Sequence, residues 1–345
     1  MPRFRLLRFI GRSQAFDKNN EPMRGDHVIR RCIPARALLA VALMFCASQA
    51  RAQLLGHNTP GDFGLQSGSQ APPGIYLVAP LYVRYDADTL RNGLGNQSPA
   101  ETKVSMNAYV FGATWVSNTK VLGANYSLQL YLPLTNNALE APILGLDQST
   151  DTGLTDVYLQ PINLGWHTRN ADFIAGVGIF APTGRYELGA DDNLGLGMWS
   201  FEVFGGTTFF FDEAKSWHVA TTAFYETHTK KAGSDVRVGD ILTFEGGLGK
   251  SFKQGLLNVG LAYYAQFKVT DDDFGVDIQP SPVFQPAKHQ GFGVGPEVSI
   301  PIASKRKLYG SLNFRYLWET GVRNNLEGNL FVLTASFPLP SVSLQ

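Results

Sequence analysis

Cysteine is almost missing from this chain. Its 345 residues include two, Cys32 and Cys46. Both fall in an N-terminal stretch that reads as a removable leader, so the rest holds no thiol for catalysis, no Cys-ligated metal and no disulfide. Charge is scarce too. Lys+Arg and Asp+Glu number 29 each, 17% of residues, against about 25% in ordinary soluble domains. A net charge of zero offers no basic surface for nucleic acid. Long apolar runs are also missing. None approaches the roughly 20 residues of a membrane helix, and mean hydropathy is only −0.07. What is plentiful is glycine, 36 residues, and aromatics at 12%. A hydrophobic content of 44% excludes a disordered chain.

The leader has three parts. Arg30, Arg31 and Arg36 precede an apolar run from Ala37 to Ser48, and Ala50-Arg51-Ala52 follows. A basic flank, a short apolar core and an A-x-A site make a secretory signal peptide over 1–52, cut after Ala52. Met23 is an alternative start that would make 1–22 a gene-model extension. Phe45 stands before Cys46 where a lipid-attachment site needs a small residue. The leader carries ten Lys/Arg and three Asp/Glu, so the remaining 293 residues hold 19 basic against 26 acidic ones. Residues 53–73 read as a periplasmic N-terminal segment, 74–337 as the folded body and 338–345 as a C-terminal tail.

From residue 74 onward apolar and polar residues alternate, the period-2 mark of strands. In 257–269, Leu257, Val259, Leu261, Tyr263, Ala265, Phe267 and Val269 oppose Asn258, Gly260, Ala262, Tyr264, Gln266 and Lys268. Twelve such segments appear: 74–86, 104–117, 122–134, 154–168, 171–183, 198–211, 216–228, 240–253, 256–269, 289–301, 307–320 and 328–337. Most run past the 9–11 residues that a tilted strand needs to cross a bilayer. Their connections alternate. Those at 87–103, 135–153, 184–197, 229–239, 270–288 and 321–327 are long. Those at 118–121, 169–170, 212–215, 254–255 and 302–306 are short. Tight periplasmic turns and longer outer loops give this pattern, and a soluble sandwich has no reason to produce it. The fold class expected is all-β: a transmembrane antiparallel β-barrel of about twelve strands in up-and-down meander order. Trp166, Trp217, Phe252, Tyr309, Trp318 and Phe337 sit near strand ends, where an interfacial girdle belongs.

Motifs for chemistry are thin. EGGLGKS at 245–251 lacks the first glycine of a phosphate-binding loop, since Phe244 stands there. Gly176-x-Gly178-x-x-Ala181 runs into Pro182 and not into a helix. No G-x-S-x-G elbow occurs, and His57, His167, His218, His228 and His289 lack metal spacing. Asp271, Asp272, Asp273 and Asp277 make an acidic outer loop suited to solvent or to divalent cations that bridge lipopolysaccharide. No catalytic residue, metal site or cofactor is expected. Arg84, Glu202, Glu226, Glu245, Lys268, Glu297, Arg315 and Glu319 fall on the polar phase of their strands. A charge facing lipid costs about 2–4 kcal/mol at the midplane, so they are expected to point inward. Glu245, Lys268, Glu297 and Arg315, on neighbouring strands, should share one luminal region. With Tyr264, Gln266, Glu226 and Glu202 they are the candidate solute contacts, or equally a set of ion pairs filling a narrow lumen.

Several stretches carry a family resemblance: GLTDVYLQPINLGWH (153–167), GIFAPTGRYELG (178–189), NLGLGMWSFE (193–202), AYYAQFKVTDDDFG (262–275), GFGVGPEVSIP (291–301) and RNNLEGNLFVLTASFPL (323–339). The chain resembles the outer-membrane barrel family labelled by a MetA pathway of phenol degradation. Asp156, Gln160, Pro161, Trp166, Pro182, Thr183, Gly184, Tyr186, Tyr264, Gln266, Gly295, Pro296 and Glu297 are its motif positions here. The resemblance implies an outer-membrane protein that helps take up aromatic compounds, and its label names no enzymatic activity. The function expected is a monomeric passive channel for small hydrophobic or aromatic solutes. Its expected partners are outer-membrane lipid, lipopolysaccharide and the barrel-assembly machinery, with no nucleic acid. Two alternatives stand beside it: a structural or adhesive barrel with a closed lumen, and a lipid-modifying enzyme that would need a Ser/His/acid set.

Overall fold

The structure is a computed structural model. It describes residues 55–99, 101–142, 145–252, 257–275, 288–304, 307–340 and 342–343. The expected leader, the 254–255 turn, Asp277 and parts of the connections at 135–153, 270–288 and 302–306 lie outside the described residues. So do residues 341, 344 and 345 of the 338–345 tail.

Twelve long strands make the wall. In chain order they are β1 (Gly74–Arg91), β2 (Lys103–Val121), β3 (Ala124–Ala141), β6 (Val157–His167), β7 (Ala171–Ala181), β8 (Ser200–Phe210), β9 (Trp217–His228), β10 (Ile241–Phe252), β11 (Leu257–Lys268), β12 (Gln290–Ser304), β13 (Lys307–Arg323) and β14 (Asn325–Leu339). Three short ones, β4 (Leu146–Ser149), β5 (Gly153–Leu154) and β15 (Val342–Ser343), pair beside β3 or β13. Each long strand runs antiparallel to its neighbours, and β14 pairs with β1 from Ile75↔Leu339 to Arg91↔Asn325. The sheet therefore closes as a twelve-stranded meander barrel. Closure removes the edge whose unpaired N–H and C=O groups hydrocarbon would not tolerate.

The alternation sorts the two faces. Along β9 exposed and buried positions take turns. Trp217, Val219 and Tyr225 lie outside, while His218, Ala220, Thr222, Phe224 and Glu226 are buried within. Leu128, Leu130, Leu132, Val203, Leu248 and Leu261 continue the exposed apolar face. Trp217, Phe252 and Tyr309 stand exposed at the short-turn end, where Trp166 donates its indole N–H to the Leu122 carbonyl. Trp318 stands exposed towards the long-loop end. The wall is uneven in height. The strands β6 to β11 have 11 or 12 residues, whereas β1, β2 and β3 have 18 or 19. The last pairing of β3 with β6 is Tyr131↔Tyr158, beyond which β3 runs on to Ala141 beside β4 and β5.

Two sequence expectations need correction here. The connection at 321–327 is strand: β13 and β14 meet at Asn324 alone, in left-handed backbone at φ 50°. Asn tolerates that conformation better than most residues, and its polar side chain made the turn look like part of a long loop. Arg84 faces outward, not into the lumen. Both ladders of β1 slip between Val78 and Leu81. The bulge falls at Pro80, which has no N–H for the ladder. A slip of one residue exchanges the faces. Ile75 and Leu77 point out before it, Tyr82 and Arg84 after it, and Val83 and Ala87 are buried. At about 3.3 Å per residue and a tilt of about 40°, Arg84 stands about 25 Å above Gly74, at the upper edge of the apolar band. There its guanidinium pairs with Asp86 and donates to Asn107 Oδ1 at 3.2 Å.

Depth sets the cost of an outward charge. Leu248→Arg, in the middle of β10, should destabilise the barrel by about 2–4 kcal/mol, and Arg84→Leu should change it by under about 1 kcal/mol. Urea unfolding in phospholipid vesicles measures both.

Candidate functional site

The inward face is polar and crowded. Glu202, Glu226, Glu245, Tyr264, Gln266, Lys268, Glu297 and Arg315 are all buried on it. Glu297 and Arg315 form an ion pair, Nε to Oε2 at 2.8 Å. Tyr264, directly across the ladder from Glu245, gives its hydroxyl to Glu319, which also accepts from Tyr85 at 2.9 Å. Lys268 is not part of this group. Its ladder partner is Ile241, four residues along from Glu245, a separation of about 13 Å. It pairs instead with Asp272 at 2.7 Å, at the long-loop end. Neighbouring strands do not imply equal height, since register decides it.

What brings the others together is the chain's own residues 55–73. The sequence reading set 53–73 apart as a periplasmic segment. The described part instead runs through the barrel, from the long-loop end at His57 to the short-turn end at Gln70. Its backbone donors are taken up by luminal carboxylates. The amides of His57 and Asn58 donate to Glu226 at 2.7 and 3.1 Å. The Phe63 amide donates to Glu245 at 2.8 Å and the Leu65 amide to Glu297 at 3.1 Å. Arg315 donates to the Gly61 carbonyl at 2.6 Å. Asn58 Nδ2 donates to Glu202, which also accepts from Tyr158. Lower down, Ser69 donates to Asp172 and Gln70 to Ser127. A buried backbone must have its polar groups paired, and carboxylates on three strands do this for a segment that makes no ladder of its own. Apolar contact is limited to a few residues, with Phe63 against Phe224 at 5.0 Å between centroids and Leu65 fully buried. Gly64 is required by closeness: a Cβ there would lie 1.9 Å from Glu297 Oε2.

At the long-loop end His57 joins several elements. Its Nδ1 lies 2.6 Å from Ser200 Oγ and its Nε2 2.8 Å from Asp156 Oδ2. The Phe180 ring stacks on it at 4.9 Å. Asp156 also accepts from the amides of Gly184 at 2.9 Å and Leu196 at 2.7 Å. Burial works against the Asp156 carboxylate. The hydrogen bonds from His57 and the two amides outweigh it and hold its pKa below the ordinary value. Burial likewise works against protonated His57, but hydrogen bonds to Asp156 and Glu226 keep its pKa above the ordinary imidazole value. Ser200, His57 and Asp156 thus stand in the order of a nucleophilic triad. Ser200 has no exposed surface, so a carbonyl carbon has no approach to its oxygen. The arrangement works as an anchor for the segment.

Sequence reasoning missed the cluster of His57, Asp156 and Ser200 because Asp156 and Ser200 lie 99 and 143 residues from His57 along the chain. A signal was present in HNTPGDFGLQSGSQ: glycines at 61, 64 and 68 in a stretch with few charges. That composition suits close passage as well as a flexible spacer.

Residues 87–335 match the family described as “Putative MetA-pathway of phenol degradation”. No curated protein matched the chain. Among solved structures, the COG4313 outer membrane channel from Pseudomonas putida F1 is 14% identical, with a TM-score of 0.67 over 81% of this chain and 99% of that one. At that identity the likeness is one of fold. The beta domain of the Bordetella autotransporter Brka is 11% identical, with a TM-score of 0.43 over 76% of this chain and 98% of that one. The transport unit of the autotransporter AIDA-I from Escherichia coli is 10% identical, with a TM-score of 0.42 over 85% and 96%.

Arg315→Ala should cost about 3–5 kcal/mol, because it leaves the Glu297 charge buried without its partner. Adding Glu297→Gln should recover part of that in the same unfolding assay. For His57, NMR titration of the imidazole should give a pKa above 6.5 that falls in Asp156→Asn. Because folding raises this pKa, the junction's contribution is complete below pH 6.5 and is lost as pH climbs through the raised value.

Proposed function

The chain belongs to the family described as “Putative MetA-pathway of phenol degradation”, and on that premise we propose that it is a passive outer-membrane channel for small hydrophobic or aromatic solutes. In this reading the short turns face the periplasm, the long loops face outward, and lipopolysaccharide meets the upper apolar band. The signal peptide over 1–52 exports the chain, and the barrel-assembly machinery inserts it as a monomer.

The observation that carries the proposal is how the lumen is occupied. A permanent plug would be packed like a domain core, with interdigitated apolar side chains. Residues 55–73 are held mainly by hydrogen bonds to Glu226, Glu245, Glu297 and Arg315. Each of these bonds involves a charged group and exchanges for water at a net cost of about 1.5–3 kcal/mol, since water can solvate the same charges. The segment can therefore yield to solute and water, leaving a lumen lined by Glu202, Glu226, Tyr264, Gln266 and the Glu297–Arg315 pair. Side chains of that kind contact a solute weakly enough to release it. The full burial of Ser200 favours a channel over a lipid-modifying enzyme. The filled lumen equally suits a closed structural barrel, which the following measurement separates from a channel.

Single-channel recording in planar bilayers, with phenol uptake into liposomes alongside, tests the proposal. Deleting residues 55–71 should raise conductance severalfold. The double variant Ser69→Cys with Asp172→Cys, whose native side chains touch at 2.9 Å, should lock the segment when oxidised and reopen on reduction. No conductance and no uptake from either the intact or the shortened protein would reject the channel in favour of the structural barrel.

A further inference from the structure

Residues 55–73 lie to one side of the lumen. On β9 and β10 the inward side chains Thr222, Phe224, Glu226, Thr243 and Glu245 are all buried. On β2 and β3 the inward side chains Val110, Thr114, Gln129 and Tyr131 are only half-buried. The segment shows the same two sides. Gly61, Gly64, Leu65, Ser67 and Gly68 are buried, while Thr59, Asp62 and Gln66 are exposed. Within a closed wall, exposure of that kind means an open strip beside the segment.

Asp62 stands in that strip with its backbone fixed on either side. Arg315 donates to the Gly61 carbonyl at 2.6 Å, and the Phe63 amide donates to Glu245 at 2.8 Å. Glu245 and Arg315 both lie well inside their strands, so Asp62 is deep in the barrel. Phe63 packs on Phe224, and the clamped face therefore looks to β9, β10 and β13. The Asp62 side chain does not share that face. Its charge acts on Tyr131 of β3 and Tyr158 of β6 across the lumen, two rings stacked at 6.3 Å between centroids. Asp62 has no ion pair among the described residues, and Arg315 is already engaged by Glu297 at 2.8 Å. On the clamped side Glu245 Oε1 is buried with no hydrogen-bond partner among the described residues.

We infer that this strip is a charge filter: it passes neutral solutes and small cations, turns anions away, and Asp62 is the residue that selects. The inference rests on the channel reading above and adds the form of solute admitted, a phenol and not a benzoate. Charge of one sign between low-dielectric walls focuses its field along the path, and acidic side chains serve cation-selective pores in this way. At about 4 Å a unit charge favours a passing cation over an anion by about tenfold or more, even at the dielectric of water. Opposite Asp62, Tyr131 and Tyr158 give a neutral ring an aromatic surface to pass along.

Planar bilayers holding the full protein under a potassium chloride gradient test this through the reversal potential. Potassium should be preferred over chloride by about tenfold. Asp62→Asn should lower that preference severalfold, and Asp62→Lys should invert it. Neither change removes an ion pair among the described residues, and heat-modifiable migration on gels checks that each variant is folded. Liposomes should take up phenol and exclude benzoate, and Asp62→Lys should admit benzoate. Asp62→Cys adds an independent measurement, since residues 53–345 hold no cysteine. A cationic methanethiosulfonate should modify it severalfold faster than an anionic one. Current without cation preference, or a preference unchanged in both Asp62→Asn and Asp62→Lys, overturns the filter and leaves the channel standing. No current and no uptake from the intact or the shortened protein overturns the channel. The thiosulfonate rates then decide the filter by themselves, and equal rates or no reaction overturn it.

Discussion

Backbone hydrogen bonding is the constraint on which this molecule turns. In hydrocarbon no N–H or C=O can be left to solvent, so the wall must close, and β14 must find β1. The same requirement reappears inside, where residues 55–73 have no ladder. Their amides are met by carboxylates that the wall projects inward: Glu226, Glu245 and Glu297. One rule therefore explains both the closed sheet and the acidic lining, which in a solvent-filled tube would be a ring of mutually repelling charges.

The balance inside is electrostatic as well as geometric. Glu202 and Glu226 face each other across the β8–β9 ladder, an unfavourable pairing on its own. It is tolerated because each collects donors: Tyr158 and Asn58 for one, the amides of 57 and 58 for the other. Arg315 answers Glu297 and the Gly61 carbonyl together. The segment is thus part of the charge arrangement of the barrel.

Much of the fold could be read from the chain, because a two-residue period is a local property. The segments 171–183, 216–228 and 256–269 differ from β7, β9 and β11 by one or two residues at an end. What escaped depends on information that local patterns do not hold. Arg84 changed face because a bulge at Pro80 resets the period, and neighbouring residues give no count of bulges. Lys268 left the expected cluster because height along the barrel follows register. The 321–327 turn was read too long because polar residues in an outer strand extension look like loop. The luminal segment was missed for a deeper reason: its partners are 57 to 254 residues away, and nothing in a glycine-rich stretch distinguishes solvent from a lumen as its surroundings.

The place of that segment in the chain has a consequence for assembly. It directly precedes β1, and β1 forms the seam with β14, the last long strand to be made. The first residues of the folded body are therefore enclosed by the final pairing. A seam that zips with the segment outside leaves those carboxylates to water in the lumen, while one that zips around it gives them backbone donors at once. The order of the chain thus ties filling of the lumen to closure of the wall, since the enclosed residues lead directly into the strand that completes it.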